Sequence, residues 1–268
     1  MIRLHWWRTN EKQNNFGDEL SRFICEQLSK QWTEWAPLED SQLVSIGSLL
    51  ASHLNPDFCW EKYTGSIWGT GFMIAGEQID LSQVKVFALR GRYSLNQAQI
   101  NQRENIALGD PGLLSHLLVR RKISQRYPLG IMPHWSDSFH PYFRGITEKH
   151  PEICLMSPME PVDTIIEKIC SCENILSSSL HGLIVADAFG IPNRWLRLNT
   201  GQEDVNGATL FKFRDYYSLF GLEKMTPVAI NDCLSRNEIL NHMHGYHRPG
   251  LEQIQQSLIQ SFPQSLLD

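Results

Sequence analysis

The chain has 268 residues, of which 42% are apolar and 20% are charged, and its formal net charge is −5. This composition indicates a globular protein with one large or two small domains, and it argues against a nucleic-acid-binding surface. No run of 18 apolar residues predicts a membrane-spanning helix. The first seven residues resemble a strand rather than a signal peptide, so the cytoplasm is the expected compartment.

In the first half of the chain, short apolar segments alternate with segments of helical periodicity. The apolar segments have the length of strands, and most of them end beside a glycine. The predicted strands are Ile2–Trp7, Leu43–Ile46, Ser66–Trp68, Val84–Leu89 and Ile106–Leu108, and the predicted helices include Asp18–Lys30 and Ser94–Gln102.

The second half repeats this alternation, which predicts parallel sheets covered by helices on both faces. We therefore expect an α/β fold with two Rossmann-like halves that face a cleft, residues 1–122 and 123–268, with the last helix packed back on the first half. One mixed sheet is the alternative. The predicted strands are Leu129–Met132, Glu152–Met156, Asn174–Ser177 and Arg194–Leu198, and the helices are Val162–Cys170, His181–Phe189 and Leu251–Ser261.

Unusual residues concentrate in the loops that follow the predicted strands. In open α/β sheets, ligands bind beyond the carboxyl ends of the strands, and glycine lets the backbone approach a ligand closely. These loops are therefore the expected site. They are Asn15–Asp18, Gly69–Gly71, Arg90–Gly91, Gly109–Gly112, Pro133–Trp135 and Ser177–Gly182.

The most informative loop is the serine-rich turn Ser177–Gly182, which leads from a strand into a helix. Its backbone N–H groups and the helix dipole favour a phosphate or carboxylate. We predict that Ser177, Ser178, Ser179 and Gly182 bind this anion, and that His181 contacts the ligand or donates a proton to it. The alternatives are simple N-capping by the serines and a buried, satisfied histidine.

Other strand ends add candidate ligand contacts. Arg90 directly follows an apolar strand, where it would hold a carboxylate or phosphate bidentately or form a surface salt bridge. Asn15 and Gly17 would form a tight loop on the sugar side, whereas Asp18 could simply cap the first helix. His134 precedes Trp135 and would contact a sugar ring or a donor phosphate.

Several common sites are not predicted. The sequence has none of the motifs for a P-loop, a dinucleotide-binding turn, a serine-hydrolase elbow or a zincin helix. The histidines of the segment 242–247 are not framed by carboxylates or cysteines, so we predict a surface loop there rather than a metal site.

The segment Ser177–Pro192 resembles the signature segment of the polysaccharide pyruvyl transferases. Short motifs in the preceding strand-end loops follow one another in the order that this family shows. Lys212–Tyr217 is similar to a later segment of the exopolysaccharide branch. The resemblance spans about residues 10–220 and implies a glycosyltransferase-B-like fold.

The resemblance also implies a reaction. Such enzymes transfer the pyruvyl group of phosphoenolpyruvate to a sugar, where it forms a cyclic ketal, and they need no cofactor besides this co-substrate. They work in the cytoplasm, often on lipid-linked oligosaccharides at the inner membrane face, which implies peripheral membrane association. Residues 1–122 would form the acceptor side, and residues 123–268 would carry the donor site.

The resemblance assigns roles to the candidate residues. His181 would be the general acid, with a pKa near neutral, and Asp110 or Asp18 would accept a proton from the acceptor hydroxyl. Many family members carry an arginine where this chain has Ser179, so another cation must hold the donor. The candidates for that cation are Arg90, Lys212 and Arg214.

Two further functions compete with pyruvyl transfer. A nucleotide-sugar glycosyltransferase would have the same fold, since function lies in the site rather than in the architecture. A non-catalytic sugar-binding homologue is the second alternative, and the serine at position 179 is the feature that favours it. Binding of a nucleotide diphosphate would distinguish the first alternative, and acceptor binding without phosphate release would distinguish the second.

Overall fold

The computed structural model describes residues 1–8, 15–51, 58–101, 103–198, 208–230, 241 and 243–267. Within these ranges the chain forms two parallel β-sheets rather than one mixed sheet. The strands of the first sheet lie in the order β2-β1-β3-β4-β5-β6. They are β1 (Ile2–His5), β2 (Thr33–Trp35), β3 (Leu43–Val44), β4 (Ser66–Trp68), β5 (Lys85–Leu89) and β6 (Ala107–Leu108).

The strands of the second sheet lie in the order β11-β10-β9-β7-β8. Every pairing in both sheets is parallel, and the residues of β4, β7 and β9 are all buried, as is expected for sheets covered on both faces. The strands are β7 (Leu129–Met132), β8 (Ile153–Leu155), β9 (Ile175–Ser177), β10 (Asn193–Leu198) and β11 (Val228–Ile230).

The helices connect and cover these strands. The segments that the sequence predicts as strands and helices are present with bounds shifted by a few residues, whereas β2, β11, α3 and α6 were not predicted. The helices are α1 (Phe16–Ser29), α2 (Arg92–Gln97), α3 (Pro141–Lys149), α4 (Val162–Cys170), α5 (Leu180–Ala188), α6 (Ala208–Tyr217) and α7 (Leu251–Gln260), with a 3₁₀ helix at Pro111–Leu118. None of the helices within the described ranges is long and apolar enough to cross a membrane.

Each sheet reverses its strand order at one point. In the first sheet the reversal lies between β1 and β3, and in the second it lies between β7 and β9. Loops on opposite sides of such a point diverge and leave a crevice at the carboxyl edge, where ligands bind in doubly wound folds. The two crevices are therefore the expected positions of a site.

Helices α6 and α7 return from the second half of the chain to the first sheet. On α6, Phe213 stacks on Trp195 of β10 with ring centroids 4.2 Å apart, while Asp215 binds Arg90 after β5 at 2.9 Å. At the end of α7, the Leu258 carbonyl accepts a hydrogen bond from Trp68 Nε1 of β4 at 3.2 Å. The predicted division into two domains at residues 122 and 123 falls between β6 and β7 and stays a prediction.

Candidate active site

A cleft of about 370 Å³ lies where the carboxyl edges of the two sheets meet. Loops from both strand-order reversals border it: those after β1 and β3 from one sheet, and those after β7 and β9 from the other. The expected position of the site therefore coincides with a real cavity. Its lining residues are Trp7, Asn15, Asp18, Gly47, Ser48, Leu49, Met73, Arg90, His134, Trp135, Pro158, Ser179, Leu180, His181 and Lys212.

His181 lies in the first turn of α5, and its side chain is 14% exposed. Burial, together with the positive charges of Lys212 and Arg90, lowers the pKa of His181 to about 3. The pKa of His181 is therefore well below the near-neutral value expected from the sequence. The imidazole is neutral there, and a bound anion would raise its pKa.

Gly17, in the first turn of α1, packs directly against the His181 ring. A Cβ atom at position 17 would overlap ring atoms Nδ1 and Cγ of His181. Only glycine leaves room for the imidazole at this position. The sequence placed Gly17 on the sugar side, and the structure shows it in contact with His181.

Asp110 approaches His181 from the first half of the chain. Its Oδ2 lies 3.9 Å from His181 Nε2, and both atoms are buried without a hydrogen-bond partner. Its Oδ1 accepts a hydrogen bond from Gly112 N at 2.8 Å. Burial raises the pKa of Asp110 to about 7, although the Gly112 amide and Arg90 oppose this shift.

Asn15 and Asp18 form the first-half wall of the cleft. Asn15 is the N-cap of α1, with its Oδ1 accepting from Gly17 N at 2.9 Å, and its Nδ2 donates to Asp18 Oδ2. Asp18 is thus not the cap itself. Burial raises its pKa to about 7, and the hydrogen bond from Asn15 and the charge of Lys212 oppose the rise.

Arg90 lines the cleft but is only 1% exposed, because its guanidinium is anchored on three sides. Its Nε donates to Asp215 Oδ2 at 2.9 Å, its Nη1 to Ser48 Oγ at 2.6 Å and its Nη2 to the Phe72 carbonyl at 2.5 Å. The carboxylate of Asp215 compensates its charge. Arg90 therefore forms a buried ion pair with Asp215 at the edge of the cleft rather than a surface salt bridge.

Lys212 and Arg214 occupy different positions on α6. Lys212 lines the cleft, and its charge lowers the pKa of both His181 and His134. Arg214 is exposed and lies outside the cleft lining. Of the two predicted cations on α6, the structure brings Lys212 to the site and leaves Arg214 away from it.

The serine turn combines structural and cleft-lining residues. Ser177 is buried, its Oγ contacts the carbonyl oxygens of Met132 at 2.7 Å and Ser179 at 2.8 Å, and a Cβ on Gly182 would overlap that Oγ. Ser178 Oγ donates to Asp137 Oδ2 at 2.5 Å. Of the three serines, Ser179 alone lines the cleft, and its hydroxyl does not cap α5.

Two tryptophans from opposite sheets meet at the cleft. Trp7 follows β1 and Trp135 follows β7, and their rings stack with centroids 6.4 Å apart. Trp135 is 50% exposed. Next to it, His134 lines the cleft, and burial, followed by the charge of Lys212, lowers its pKa to about 3. The sequence pointed to His134 and Trp135, and Trp7 lies on the same wall of the cleft.

Two other functional features were missed by the sequence analysis. Asp215 binds both Arg90 and Ser94, the latter through Oδ2 at 2.6 Å and Oδ1 at 2.8 Å. Ser48 holds the remaining end of the Arg90 side chain. Both contacts join residues far apart in the chain, so the motif Lys212–Tyr217, which contains Asp215, did not indicate which partners these residues have.

Within the described ranges, no cluster of three or more His, Cys, Asp or Glu side chains has an arrangement that could hold a metal ion. Of the predicted surface histidines, His244 and His247 are exposed, while position 242 lies outside the described residues.

Comparisons with known proteins show the family of the chain. A family model described as "Polysaccharide pyruvyl transferase" matches residues 4–199, which is more than half of the chain. An uncharacterized protein of Acanthamoeba polyphaga mimivirus, L143, is 28% identical over 86% of this chain and 80% of its own length. The succinoglycan biosynthesis protein ExoV of Rhizobium meliloti is 26% identical over 82% of this chain and 66% of its own. No solved structure matches significantly. The chain therefore belongs to the polysaccharide pyruvyl transferase family and is a pyruvyl-transferring enzyme.

Proposed function

We propose that the enzyme transfers the pyruvyl group of phosphoenolpyruvate to two hydroxyls of one sugar residue and so forms a cyclic ketal. The acceptor is a polysaccharide or a lipid-linked oligosaccharide of cell-surface glycan synthesis. The observation that carries this proposal is the cleft itself, where Lys212, Arg90 and the N-terminus of α5 surround His181. The relative ExoV, a succinoglycan biosynthesis protein, supports the acceptor class.

The donor requires positive partners, since it carries between about two and three negative charges at neutral pH. Burying such charges without compensation costs many kcal/mol. Lys212 supplies the cationic charge that an arginine at position 179 would otherwise provide, and the α5 N-terminus adds backbone N–H groups. Arg90, already paired with Asp215, acts mainly by holding the strand-end loops in place.

The reaction needs a proton at the methylene carbon of the donor, which makes the adjacent carbon electrophilic. A sugar hydroxyl attacks this carbon, the phosphate leaves, and a second hydroxyl closes the ring. His181 delivers the proton, since it lies at the helix start that binds the anion. Of the two hydroxyl protons released, one replaces the proton given to carbon and the other leaves with phosphate.

The acceptor enters along the tryptophan wall. A pyranose ring presents C–H groups that pack on aromatic faces, and Trp7 with Trp135 offers such a face at the cleft. His134 and Asn15 supply polar contacts beside it. Asp18, also in the lining, takes up the second hydroxyl proton as the ring closes and passes it to the departing phosphate.

Architecture and location follow from the same reaction. Two Rossmann-like sheets that share one cleft support a glycosyltransferase-B-like arrangement. We place the enzyme in the cytoplasm, with peripheral association at the inner face of the plasma membrane, because a lipid-linked acceptor would be presented there. Phosphoenolpyruvate serves as co-substrate, and no further cofactor takes part.

The test is phosphate release from phosphoenolpyruvate with a panel of pyrophosphate-linked oligosaccharides, with pyruvate incorporation measured in parallel. We expect both in equal amounts, and His181→Ala should lower turnover by roughly 10²-fold or more. His244→Ala, which changes an exposed histidine, is the control. Near-normal turnover of a folded His181→Ala variant would remove His181 from the chemistry. Thermal stabilisation by nucleotide sugars but not by phosphoenolpyruvate would instead favour a glycosyltransferase.

A further inference from the structure

One pair of buried polar atoms at the cleft has no partner other than each other. His181 Nε2 and Asp110 Oδ2 are each sealed from solvent, each makes no hydrogen bond, and they lie 3.9 Å apart. A buried polar atom without a partner is costly, on the order of 1–3 kcal/mol. A shift of about 1 Å would bring the two atoms to hydrogen-bond distance.

We propose that Asp110 and His181 form a proton relay, in which Asp110 Oδ2 exchanges a proton with His181 Nε2 while His181 Nδ1 serves the bound substrate. The arrangement of the two side chains favours this direction. Asp110 Oδ1 is fixed by Gly112 N, which leaves Oδ2 for the imidazole. The other ring nitrogen, Nδ1, is the one left for a substrate, because His181 lines the cleft and the glycine at position 17 keeps the space beside Nδ1 free of a side chain.

The relay explains how His181 can donate a proton although its imidazole is neutral. Lys212 on α6 and Arg90 after β5 keep the imidazole neutral, so an imidazolium is not available at neutral pH. The carboxyl of Asp110, buried beside Arg90 and Asp215, holds a proton up to about pH 7. A neutral imidazole can pass that proton on without ever being charged.

Two other titratable groups of the cleft lie near this relay. Asp18 and His134 also line the cleft, and Lys212 acts on both of them. Their own protonation changes the field at His181. Neither group has an atom within ion-pair distance of His181 Nε2. The ion-pair partner that the structure shows for this atom is Asp110.

The protons balance in each step. Before transfer, Asp110 is protonated and the neutral imidazole carries its proton on Nδ1. The Nδ1–H bond breaks as a C–H bond forms at the methylene carbon of the donor, and the Asp110 O–H bond breaks as Nε2–H forms. One hydroxyl proton of the acceptor then returns to Nδ1, and the Nε2 proton returns to Asp110. Only this delivery to substrate rests on the proposed function.

The relay predicts a change of tautomer that can be measured without any substrate. Nuclear magnetic resonance of ligand-free protein labelled with ¹⁵N-histidine should show the His181 proton on Nδ1 at about pH 5.5 and on Nε2 at about pH 8.5. The change should centre near pH 7, where Asp110 loses its proton. His181→Gln identifies the signals. A tautomer that does not change with pH, or an imidazolium at neutral pH, would overturn the relay.

Two variants test whether Asp110 is responsible. Asp110→Asn keeps an acceptor for Gly112 N but cannot transfer a proton, so the tautomer should stay fixed at every pH. Asp18→Asn removes the other carboxyl of the cleft and should leave the change intact. A pH-dependent tautomer in Asp110→Asn would contradict the proposal, and the titration of the unaltered protein decides the matter if that variant does not fold.

Activity separates this relay from a structural role. In Asp110→Asn we expect kcat to fall by roughly 10²-fold while the KM for phosphoenolpyruvate changes by less than about threefold. Equal losses in binding and turnover would indicate a distorted cleft instead. If the tautomer change is present but no donor yields pyruvyl transfer, the relay stands and the proposed function fails.

Discussion

The two strand-order reversals that form the cleft differ in the chemistry they contribute. The first sheet brings the carboxyl groups, Asp18 and Asp110, together with the guanidinium of Arg90. The second brings the imidazoles of His134 and His181 and the N-terminus of α5. Each half alone lacks what the other provides, so the site exists only where the two carboxyl edges meet.

Burial acts on the two sets in opposite directions. It raises the pKa of Asp18 and Asp110 to about 7 and lowers the pKa of His134 and His181 to about 3. Protons held near neutral pH therefore reside on the first half and not on the histidines of the second. In the proposed relay, His181 therefore depends on a carboxyl from the opposite half, that of Asp110.

The largest effect is expected at the contact between Gly17 of the first half and His181 of the second. Gly17→Ala puts a methyl group into the His181 ring position, so the imidazole must turn away from Asp110. We expect pyruvyl transfer to fall by roughly 10²-fold, because misplacement by about 1 Å has that effect on catalysis. Steady-state kinetics on the folded variant checks this.

Gly145→Ala is the matched control, since a Cβ at position 145 in α3 meets no atom within 4 Å. Alanine is a better helix former than glycine, so this variant should keep full activity and unfold at the same or a higher temperature. Equal activity of Gly17→Ala and Gly145→Ala would show that the halves need not fit tightly at the histidine.

Lys212→Met removes a charge that acts on groups of both halves, namely Asp18, His134 and His181. The donor loses its cationic partner, so its KM should rise by roughly tenfold, in line with the loss of one charge-assisted hydrogen bond. The pKa of His181 should rise, because Lys212 contributes to lowering it. Kinetics and a histidine titration measure the two effects, with Lys149→Met on the exposed end of α3 as control. An unchanged donor KM would assign donor binding to other groups.

The tryptophan wall tests whether both halves hold the acceptor. Trp7→Ala removes the first-half partner of Trp135, and we expect the acceptor KM to rise about threefold to tenfold with little change for the donor. Trp32→Ala, which removes a tryptophan that is 75% exposed, is the control. A larger effect on the donor than on the acceptor would move the sugar away from this wall.

The smallest expected effect concerns stability. The pKa of Asp18 is higher in the folded protein, so its contribution to stability is complete at low pH and is lost as pH rises toward about 7. The Asp18→Asn variant does not lose this stability. The Tm of the variant minus the Tm of the unaltered protein should therefore be larger at about pH 8 than at about pH 5, by several degrees at most. Thermal unfolding at both pH values measures it, with Asp163→Asn as an exposed control. A Tm difference that becomes smaller as pH rises would contradict the raised pKa of Asp18.

The sequence predicted the parts of the site that are local. The strand, the serine turn and the helix at 175–188 follow from adjacent residues and are confirmed, whereas anion binding at that helix start stays a prediction. The pKa of His181 was not predictable in the same way, because Lys212 and Arg90 reach it from distant segments. Helix α6 was missed as an element, although Lys212 was among the candidate cations.

Arg90 illustrates the same limit for a single side chain. Its position after an apolar strand correctly placed it at the cleft, but its partner Asp215 lies 125 residues away in the chain. From the sequence it was a free cation for the donor, whereas in the fold most of its hydrogen-bonding capacity is used. Long-range pairing decides whether a strand-end charge binds a ligand or a neighbour.

The return of α6 and α7 to the first sheet has a mechanical consequence. Two domains joined by one linker can open by a hinge motion. Here the two sheets are connected not only by the chain near residue 122 but also by the contacts of Asp215 with Arg90 and of Leu258 with Trp68. Opening would have to break a buried ion pair and withdraw Trp68 from its partner. We therefore expect substrates to enter by movement of individual loops, with the two sheets behaving as a single frame throughout turnover.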